Sequence, residues 1–385
     1  MPAGWRKRRT HDVGFYVPSV TPLLVREALL PAGGAETQTL LDAQALGATG
    51  VAVSLAAFRA NGLDVPTRVN DVDVVLRPPH MKGRGLPGKI QEICRIWQAV
   101  GRLDAHVVVV RSPGFHVGVV AAVAGVRGRK MVFWSASLAD FDEYPPGLVR
   151  RDRRLYRLGL RFASLVVVQT HEQAEACVTR FGRGATVIGN AVESHPMPTT
   201  RPEAFLWVGR AINYKNPLAF IDLARRLPDA RFWMIAVPAP GPDDLLSEIV
   251  EASNGVDNLD LLPPQSRDAV LALMERAVAI VNTSDFEGMP QTMLEGWARG
   301  RPALALVQDP DGVIGRNGLG FFAHGSVDQL ANSARELWDS IDVGESEFAD
   351  RCRRYVQEHH SSTSVANGWL AVLARANARS RGSVG

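Results

Sequence analysis

The run Ser284-Asp285-Phe286-Glu287-Gly288-Met289-Pro290-Gln291-Thr292-Met293-Leu294-Glu295 holds two glutamates, Glu287 and Glu295, with seven residues between them. Carboxylates accept hydrogen bonds from hydroxyl groups, and the free backbone N–H groups of a helix start favour an anion. A strand-to-helix junction separates the two acids. Ala277-Val278-Ala279-Ile280-Val281-Asn282 is an apolar run of strand length. Pro290 fits the first turn of the helix that follows, where its missing N–H does no harm, and Gly300 and Pro302 close that helix. Glu295 lies four and three residues beyond Gln291 and Thr292, so the three share a face. Glu287, Gly288 and Met289 stay in the loop at the strand's carboxyl end, where open α/β sheets bind ligands. An ordinary helix start with two solvated acids is the alternative reading of this segment.

A second constellation is Val208-Gly209-Arg210-Ala211-Ile212-Asn213-Tyr214-Lys215-Asn216-Pro217. A strand ends at Gly209, two cations follow, and Asn216-Pro217 offers an N-cap with a proline behind it. Arginine grips a phosphate with two N–H groups, whereas lysine acts as a point charge. Two solvated loop cations are the plainer alternative. A third constellation is Pro31-Ala32-Gly33-Gly34-Ala35-Glu36, in which glycines at a helix start let backbone amides approach a phosphate closely. It has neither the GxGxxG spacing of a dinucleotide site nor the GxxxxGK[ST] of a P-loop.

Elements that position these groups are legible along the chain. The first half alternates strand and helix patterns, with strands expected at 11–18, 51–55, 107–110, 130–134, 165–169 and 186–188 and helices at 36–46 and 171–181. Such alternation implies a parallel sheet covered by helices on both faces. A proline-rich stretch at 193–203 reads as a linker. The pattern then restarts with strands at 205–208, 231–236, 259–262, 277–282 and 303–306 and a helix at 217–227. The expected organisation is a first α/β domain at 1–192, the linker, a second at 204–360, and a terminal helix within 361–385 packing back on the first. A cleft between two doubly wound units is the implied binding place.

At 385 residues, two domains are the default. An apolar content of 46% and a charged content of 22% are ordinary for a soluble globular protein. A net charge of +3 does not point to nucleic acid. Cys94, Cys177 and Cys352 are odd in number and form no CxxC pair, which argues for a reducing compartment and against structural zinc. Residues 1–10 are basic but lead into no apolar signal core. The apolar region 107–126 is broken by Arg111 and His116 and reads as strand, loop and helix, not as a membrane span. A cytoplasmic protein follows from these readings.

Together the three constellations resemble the retaining glycosyltransferases of the GT-B fold, in particular the large family 4 group, over residues 13–338. The strongest part is the EX7E motif of Glu287 and Glu295, preceded by Ser284 and continued by Gly296-Trp297-Ala298. Val208-Gly209-Arg210 with Lys215 is similar to the family's diphosphate clamp, and Gly33-Gly34-Ala35-Glu36 to its glycine loop. Val187-Ile188-Gly189-Asn190-Ala191-Val192-Glu193 is similar to the segment ending its first domain, with Gly189 and Ala191 departing from the usual residues. The resemblance implies a catalytic set of Arg210, Lys215 and Glu287. It implies a donor-binding set of Gly33, Gly34, Gly288, Met289, Gln291, Thr292 and Glu295. Arg210 and Lys215 would neutralise the leaving nucleoside diphosphate, Glu295 would bind ribose hydroxyls, and Glu287 would lie near the sugar. The nucleotide-sugar is then a substrate, the acceptor a glycan or lipid-linked glycan, and no cofactor or metal is implied.

One departure concerns histidine. Many relatives carry one after a first-domain strand, but here 130–134 leads into Ser135-Ala136-Ser137. His116 is a substitute or an ordinary helix-start residue. The aspartate pairs Asp71/Asp73, Asp140/Asp142 and Asp309/Asp311 are of a kind common at turns and are not read as metal ligands. Arg150, Arg154, Arg157 and Arg161 recur at helical spacing within 148–162, while Leu148, Leu155 and Phe162 recur every seven residues on another face. A basic amphipathic helix of this kind lies on anionic lipid or covers ordinary core. The reading is a GT-B sugar transferase in surface polysaccharide or glycoconjugate assembly. The alternatives are a nucleotide-sugar epimerase or hydrolase on the same fold, and a non-catalytic sugar-nucleotide-binding protein.

Overall fold

In the computed structural model, described for residues 9–25, 33–60, 62–79, 86–142, 145, 148–196, 200–239, 245–341 and 347–378, the chain forms two compact units. The first runs to Ala191, apart from Gly33 and Gly34, and resumes at Ser362; the second runs from Val192 to Ser361 and takes in Gly33 and Gly34. Pro31 and Ala32 of the glycine segment, residues 1–8 of the basic start and residues 197–199 of the expected linker lie outside the described residues.

The first unit contains, in order, β1 (His11–Tyr16), α1 (Thr21–Leu24), α2 (Gly34–Gly47), β2 (Val53–Phe58), β3 (Arg68–Val69), β4 (Val72–Arg77) and α3 (Leu86–Leu103). There follow β5 (Ala105–Arg111), α4 (Phe115–Val126), β6 (Lys130–Trp134), α5 (Arg150–Phe162), β7 (Leu165–Val168), α6 (His171–Phe181) and β8 (Thr186–Val187). The sheet order is β3-β4-β2-β1-β5-β6-β7-β8. Every pairing is parallel except β3 with β4, so the expected parallel sheet carries one antiparallel strand at its edge. Alternation of side chains explains the layering. Val107 and Val109 of β5 enter one core while Val108 and Val110 enter the other, so both faces are buried and the strand reads as unbroken valine.

The second unit holds β9 (Ala204–Arg210), α7 (Pro217–Arg226), β10 (Phe232–Val237), α8 (Leu245–Ser253), β11 (Leu259–Leu262), α9 (Arg267–Glu275) and β12 (Ala277–Asn282). It continues through α10 (Gln291–Ala298), β13 (Ala303–Ala305), α11 (Val313–Asn317), β14 (Gly320–Phe322), α12 (Val327–Asp339) and α13 (Glu347–His359). Its six strands are all parallel, in the order β11-β10-β9-β12-β13-β14. Pairing of β13 with β14 depends on Gly320, which has φ +141°; a Cβ there would stand 1.9 Å from the Ala303 carbonyl oxygen. The stretch expected as a linker is fastened to this unit. Within it, His195 meets Glu275 at 3.1 Å; Val192, expected to end the first domain, instead belongs to this unit and donates from its N–H to the His360 carbonyl at 3.0 Å.

The last helix, α14 (Ser362–Ala378), belongs to the first unit. Its Trp369 is fully buried and packs edge-on against Phe15 (5.4 Å) and Trp134 (5.0 Å). The indole N–H donates to Asp42 Oδ2 at 2.9 Å, and Ala191 N–H donates to Asp42 Oδ1 at 3.0 Å. One buried carboxylate on α2 thus ties down both α14 and the last residue of the unit's main stretch. Burial pushes the Asp42 carboxyl up to about 7, against the opposing pull of these donors and of Arg111.

Two stability predictions follow from this junction. Trp369→Ala should cost about 3–5 kcal/mol in denaturant unfolding, since it opens a cavity and leaves Asp42 short of a donor; a loss below about 1 kcal/mol would contradict the packing described. Asp42 holds its proton to higher pH when folded than when unfolded, so the folded state binds more protons between the two values. Stability should therefore fall as pH rises from about 4 towards 7, and Asp42→Asn should flatten that slope in urea titrations across the range. An unchanged slope would sink the assignment.

Candidate active site

Sheet order dictates where a ligand can enter the second unit. From β9 the chain grows outward through β10 and β11, then returns to lay β12 on the other side of β9. Loops leaving the carboxyl ends of β9 and β12 diverge, and a crevice opens at such a reversal. The two expected motifs follow these two strands. After β9 come Arg210 and the short 3₁₀ turn Asn213–Lys215; after β12 comes the loop to α10. At the far side of the turn Asn216 adopts φ +46°, which ends the turn and starts α7 with Pro217 in its first turn. Asn216 occupies the cap position as expected, although its side chain makes no capping bond.

Lys215 and Glu287, 72 residues apart, meet in an ion pair between Nζ and Oε1. Both side chains are largely withdrawn from solvent, at 22% and 13% exposure. Asn282, the last residue of β12, donates from Nδ2 to the same Glu287 oxygen at 3.4 Å, and its Oδ1 accepts from Ser284 N–H at 3.1 Å. Thr283 joins the two loops: its hydroxyl accepts from the Trp207 indole at 3.0 Å and donates to the Lys215 carbonyl at 2.7 Å. Asp285 N–H donates to the Tyr214 carbonyl at 2.8 Å. The Tyr214 and Phe286 rings stack at 4.5 Å and 20°. Arg210 is exposed and donates from Nη2 to the Tyr214 hydroxyl at 3.2 Å, which sets it beside the same turn.

Glu295 sits one turn into α10 and is nearly buried, at 5% side-chain exposure. Its Oε1 accepts from Arg267 Nη1 of α9 at 2.7 Å and from Gln291 Nε2 at 3.4 Å. Arg299, also buried, donates to the Glu295 carbonyl at 3.2 Å, and burial lowers its guanidinium pKa against the pull of Glu295 and Glu275. Gly288, Met289 and Gln291 are buried and Thr292 half-buried. Pro290 precedes the first helical residue instead of occupying the first turn. The helix closes at Gly300, where Arg301 N–H returns to the Gly296 carbonyl at 2.9 Å, as expected of the glycine–proline stop. Gly296 lets α10 press on β12: a Cβ there would stand 2.4 Å from Ile280 Cγ1. That close approach fixes the height of Glu295 above the sheet.

The first unit has its own reversal, between β1 and β5. Gly33 and Gly34 stand at the start of α2, after β1, and Arg111 ends β5. Arg111 is buried, stacks on the Trp134 ring at 3.8 Å and donates from Nη2 to Gln38 Oε1. Gln38 in turn donates to Asn190 Oδ1, and Gln169 donates to Gln38 Oε1 at 3.1 Å. Burial lowers the Arg111 guanidinium to about 10 and raises Asp140 to about 6. His116 lies on the first turn of α4 with Nε2 3.2 Å from the Arg111 carbonyl oxygen. The aspartate pairs serve local structure. Arg68 holds Asp71 and Asp73 at a strand turn, Asp140 caps the turn after β6, and Asp309 accepts from the first N–H groups of α11. Among the described residues no cluster of three or more histidine, cysteine or acidic side chains suits a metal ion.

The structure brings Lys215 to Glu287 and Gln291 to Glu295, as sequence reasoning expected them to share one region, and adds Arg267, Asn282 and the Tyr214–Phe286 stack, which that reasoning did not single out. Asn282 and Phe286 adjoin the motif and were within reach of its reading. Arg267 lies 28 residues before Glu295 on another helix, and no local pattern couples them.

Comparison with known proteins identifies the family. Residues 33–216 match the model of the glycosyl transferase 4-like domain, and residues 202–340 that of the glycosyl transferases group 1. No curated protein matches the chain. Among solved structures, sucrose-phosphate synthase from Thermosynechococcus elongatus is 14% identical, with a TM-score of 0.75 over 96% of this chain and 100% of that one. HepE from Anabaena, solved with UDP and glucose, is 17% identical, with a TM-score of 0.71 over 94% and 99%. TarM from S. aureus, in a complex that includes UDP, is 17% identical with a TM-score of 0.59; the match spans 73% of this chain but only 58% of TarM. With two consecutive family domains on two Rossmann-like units, the chain belongs to the GT-B glycosyltransferases of the family-4-like type.

Proposed function

We propose that the protein transfers a hexosyl group from a nucleotide-sugar to a glycan or lipid-linked glycan with retention of anomeric configuration, in surface polysaccharide or glycoconjugate assembly. The observation that carries this reading is the meeting of Lys215 and Glu287 where β9 and β12 part. A sugar–diphosphate bond that breaks builds negative charge on phosphate and positive character on the sugar ring. Lys215 and Arg210 supply fixed positive charge on the phosphate side, already oriented before the reaction. Glu287 lies beside Lys215 and faces the sugar. Glu295, held by Arg267 and Gln291, accepts hydrogen bonds from the ribose hydroxyls. Gly288, Met289 and Thr292 line the same junction, and Gly33 and Gly34 offer backbone amides suited to a phosphate.

In this reading the two cations do the work that a metal ion does in other transferases, so no metal and no cofactor is assigned. UDP in the HepE and TarM complexes supports a nucleoside-diphosphate donor for this chain as well. Three free cysteines support a cytoplasmic, reducing setting. Among the described residues no helix is long and apolar enough to cross a membrane.

The test is transfer measured with UDP-, GDP- and ADP-sugars against a panel of glycan acceptors, with the product's anomeric coupling read by NMR. One donor should be turned over, with its configuration preserved, and Lys215→Ala should lower kcat by about 10²–10³-fold. An inverted product would refute retention. Nucleotide release that no acceptor accelerates would replace transfer by hydrolysis, and a Lys215→Ala rate within about tenfold of the parent would remove the clamp from the mechanism.

A further inference from the structure

Seven of the ten large hydrophobic side chains exposed among the described residues lie on three helices of the first unit or their caps. Ile90, Ile93 and Trp97 recur on one face of α3, Val126 ends α4, and Val149, Leu158 and Phe162 belong to α5 and its cap. Helices α3 and α4 pack together, as do α4 and α5. The α4–α5 contact is close: a Cβ on Gly118 would stand 2.4 Å from the Leu155 carbonyl oxygen. Beside it lies an apolar groove of about 350 Å³ lined by Gly118, Ala121, Ala122, Leu158, Gly159 and Phe162. Phe162 is 67% exposed and Val126 75%. Exposed apolar surface of this extent marks an interaction surface.

Charge identifies what covers it. Helix α5 reads RRDRRLYRLGLRF, with six arginines and one acid. That acid, Asp152, is matched by Lys89 of α3 at 3.3 Å. Arg150, Arg151, Arg154, Arg157 and Arg161 are exposed. Arg154, Leu158 and Phe162 follow one another at four-residue steps, so the basic stripe and the apolar flank share the outer surface of the helix. Trp97 lies under the Arg127 guanidinium at 4.7 Å, an indole set between an apolar face and a cation. A second copy meeting this face across a two-fold axis would set arginine against arginine. A bilayer rich in anionic headgroups offers dense phosphate above an apolar layer, which matches both halves of the patch.

We propose that the face formed by α3, α4 and α5 docks on an anionic lipid bilayer. Arg154, Arg157 and Arg161 lie at the phosphate level, while Leu158, Phe162, Val126 and Trp97 enter the acyl boundary. The α4–α5 groove receives the upper part of an acyl chain. This deepens the reading of a lipid-linked acceptor and rests on it only for its biological purpose.

The full chain should be sedimented with vesicles of phosphatidylcholine alone and with vesicles containing one-third phosphatidylglycerol, with no sugar nucleotide present. Binding to the anionic vesicles alone, weakened by added salt, is the expected result. Arg154→Glu with Arg161→Glu should weaken the partition by about tenfold or more. Phe162→Ser should weaken it with charge unchanged, while both variants keep the parent's circular dichroism and nucleotide-binding thermal shift. Equal binding to both vesicle types, or full binding by the doubly charge-reversed variant, would overturn the proposal. Self-association that Phe162→Ser abolishes, without vesicle binding, would assign the face to a second copy and overturn it too. Vesicle binding without transfer activity would uphold this inference while the transfer reading fails.

Discussion

Between β9 and β12 the second sheet reverses the direction in which it grows, and the two loops that leave those strands must part. Every candidate group in this unit depends on that reversal. Parallel strands have their carboxyl ends on one edge, so Arg210 and Lys215 after β9 and Glu287 after β12 emerge side by side although 72 residues separate Lys215 from Glu287. Thr283 then bonds both loops, and the Tyr214–Phe286 stack closes them from the side. Removing the reversal would scatter these residues along the sheet edge without changing one of them.

Electrostatic balance within the site follows from partial burial. A lysine and a glutamate at 22% and 13% exposure need partners, and here each is the other's. Glu295 is deeper and carries Arg267. In the proposed reading the pairing holds Lys215 in place, so an incoming diphosphate would meet a cation already in position and need not order it. On the same reading, a ligand phosphate would compete with Glu287 for the lysine's donors.

Much of this was legible in the sequence where local signals were strong. The β12 run of six buried residues, the 130–134 and 259–262 strands and the 171–181 helix were readable end to end, because apolar runs there are bounded by turn and cap residues. The edge pair β3 and β4 was missing from that reading. Its sequence carries Arg68, Asp71, Asp73 and Arg77, and only position and the salt bridges of Arg68 make it a strand turn. Strand β14 is three half-buried residues that hold through Gly320. At the site, the EX7E spacing gave the two acids, but the cation for Glu295 comes from α9. The buried network of Gln38, Arg111, Gln169 and Asn190 likewise joins residues far apart in the chain. Such pairs depend on tertiary packing, which no period or motif encodes.

The central claim is that the β9–β12 reversal binds a nucleoside diphosphate. Its most direct test is a crystal structure of the protein with the nucleoside diphosphate that it binds. The account predicts the diphosphate within hydrogen-bonding distance of Lys215 Nζ and the Arg210 guanidinium, and the ribose hydroxyls on Glu295. A nucleotide bound elsewhere, with Lys215 still on Glu287 and the crevice empty, would contradict it.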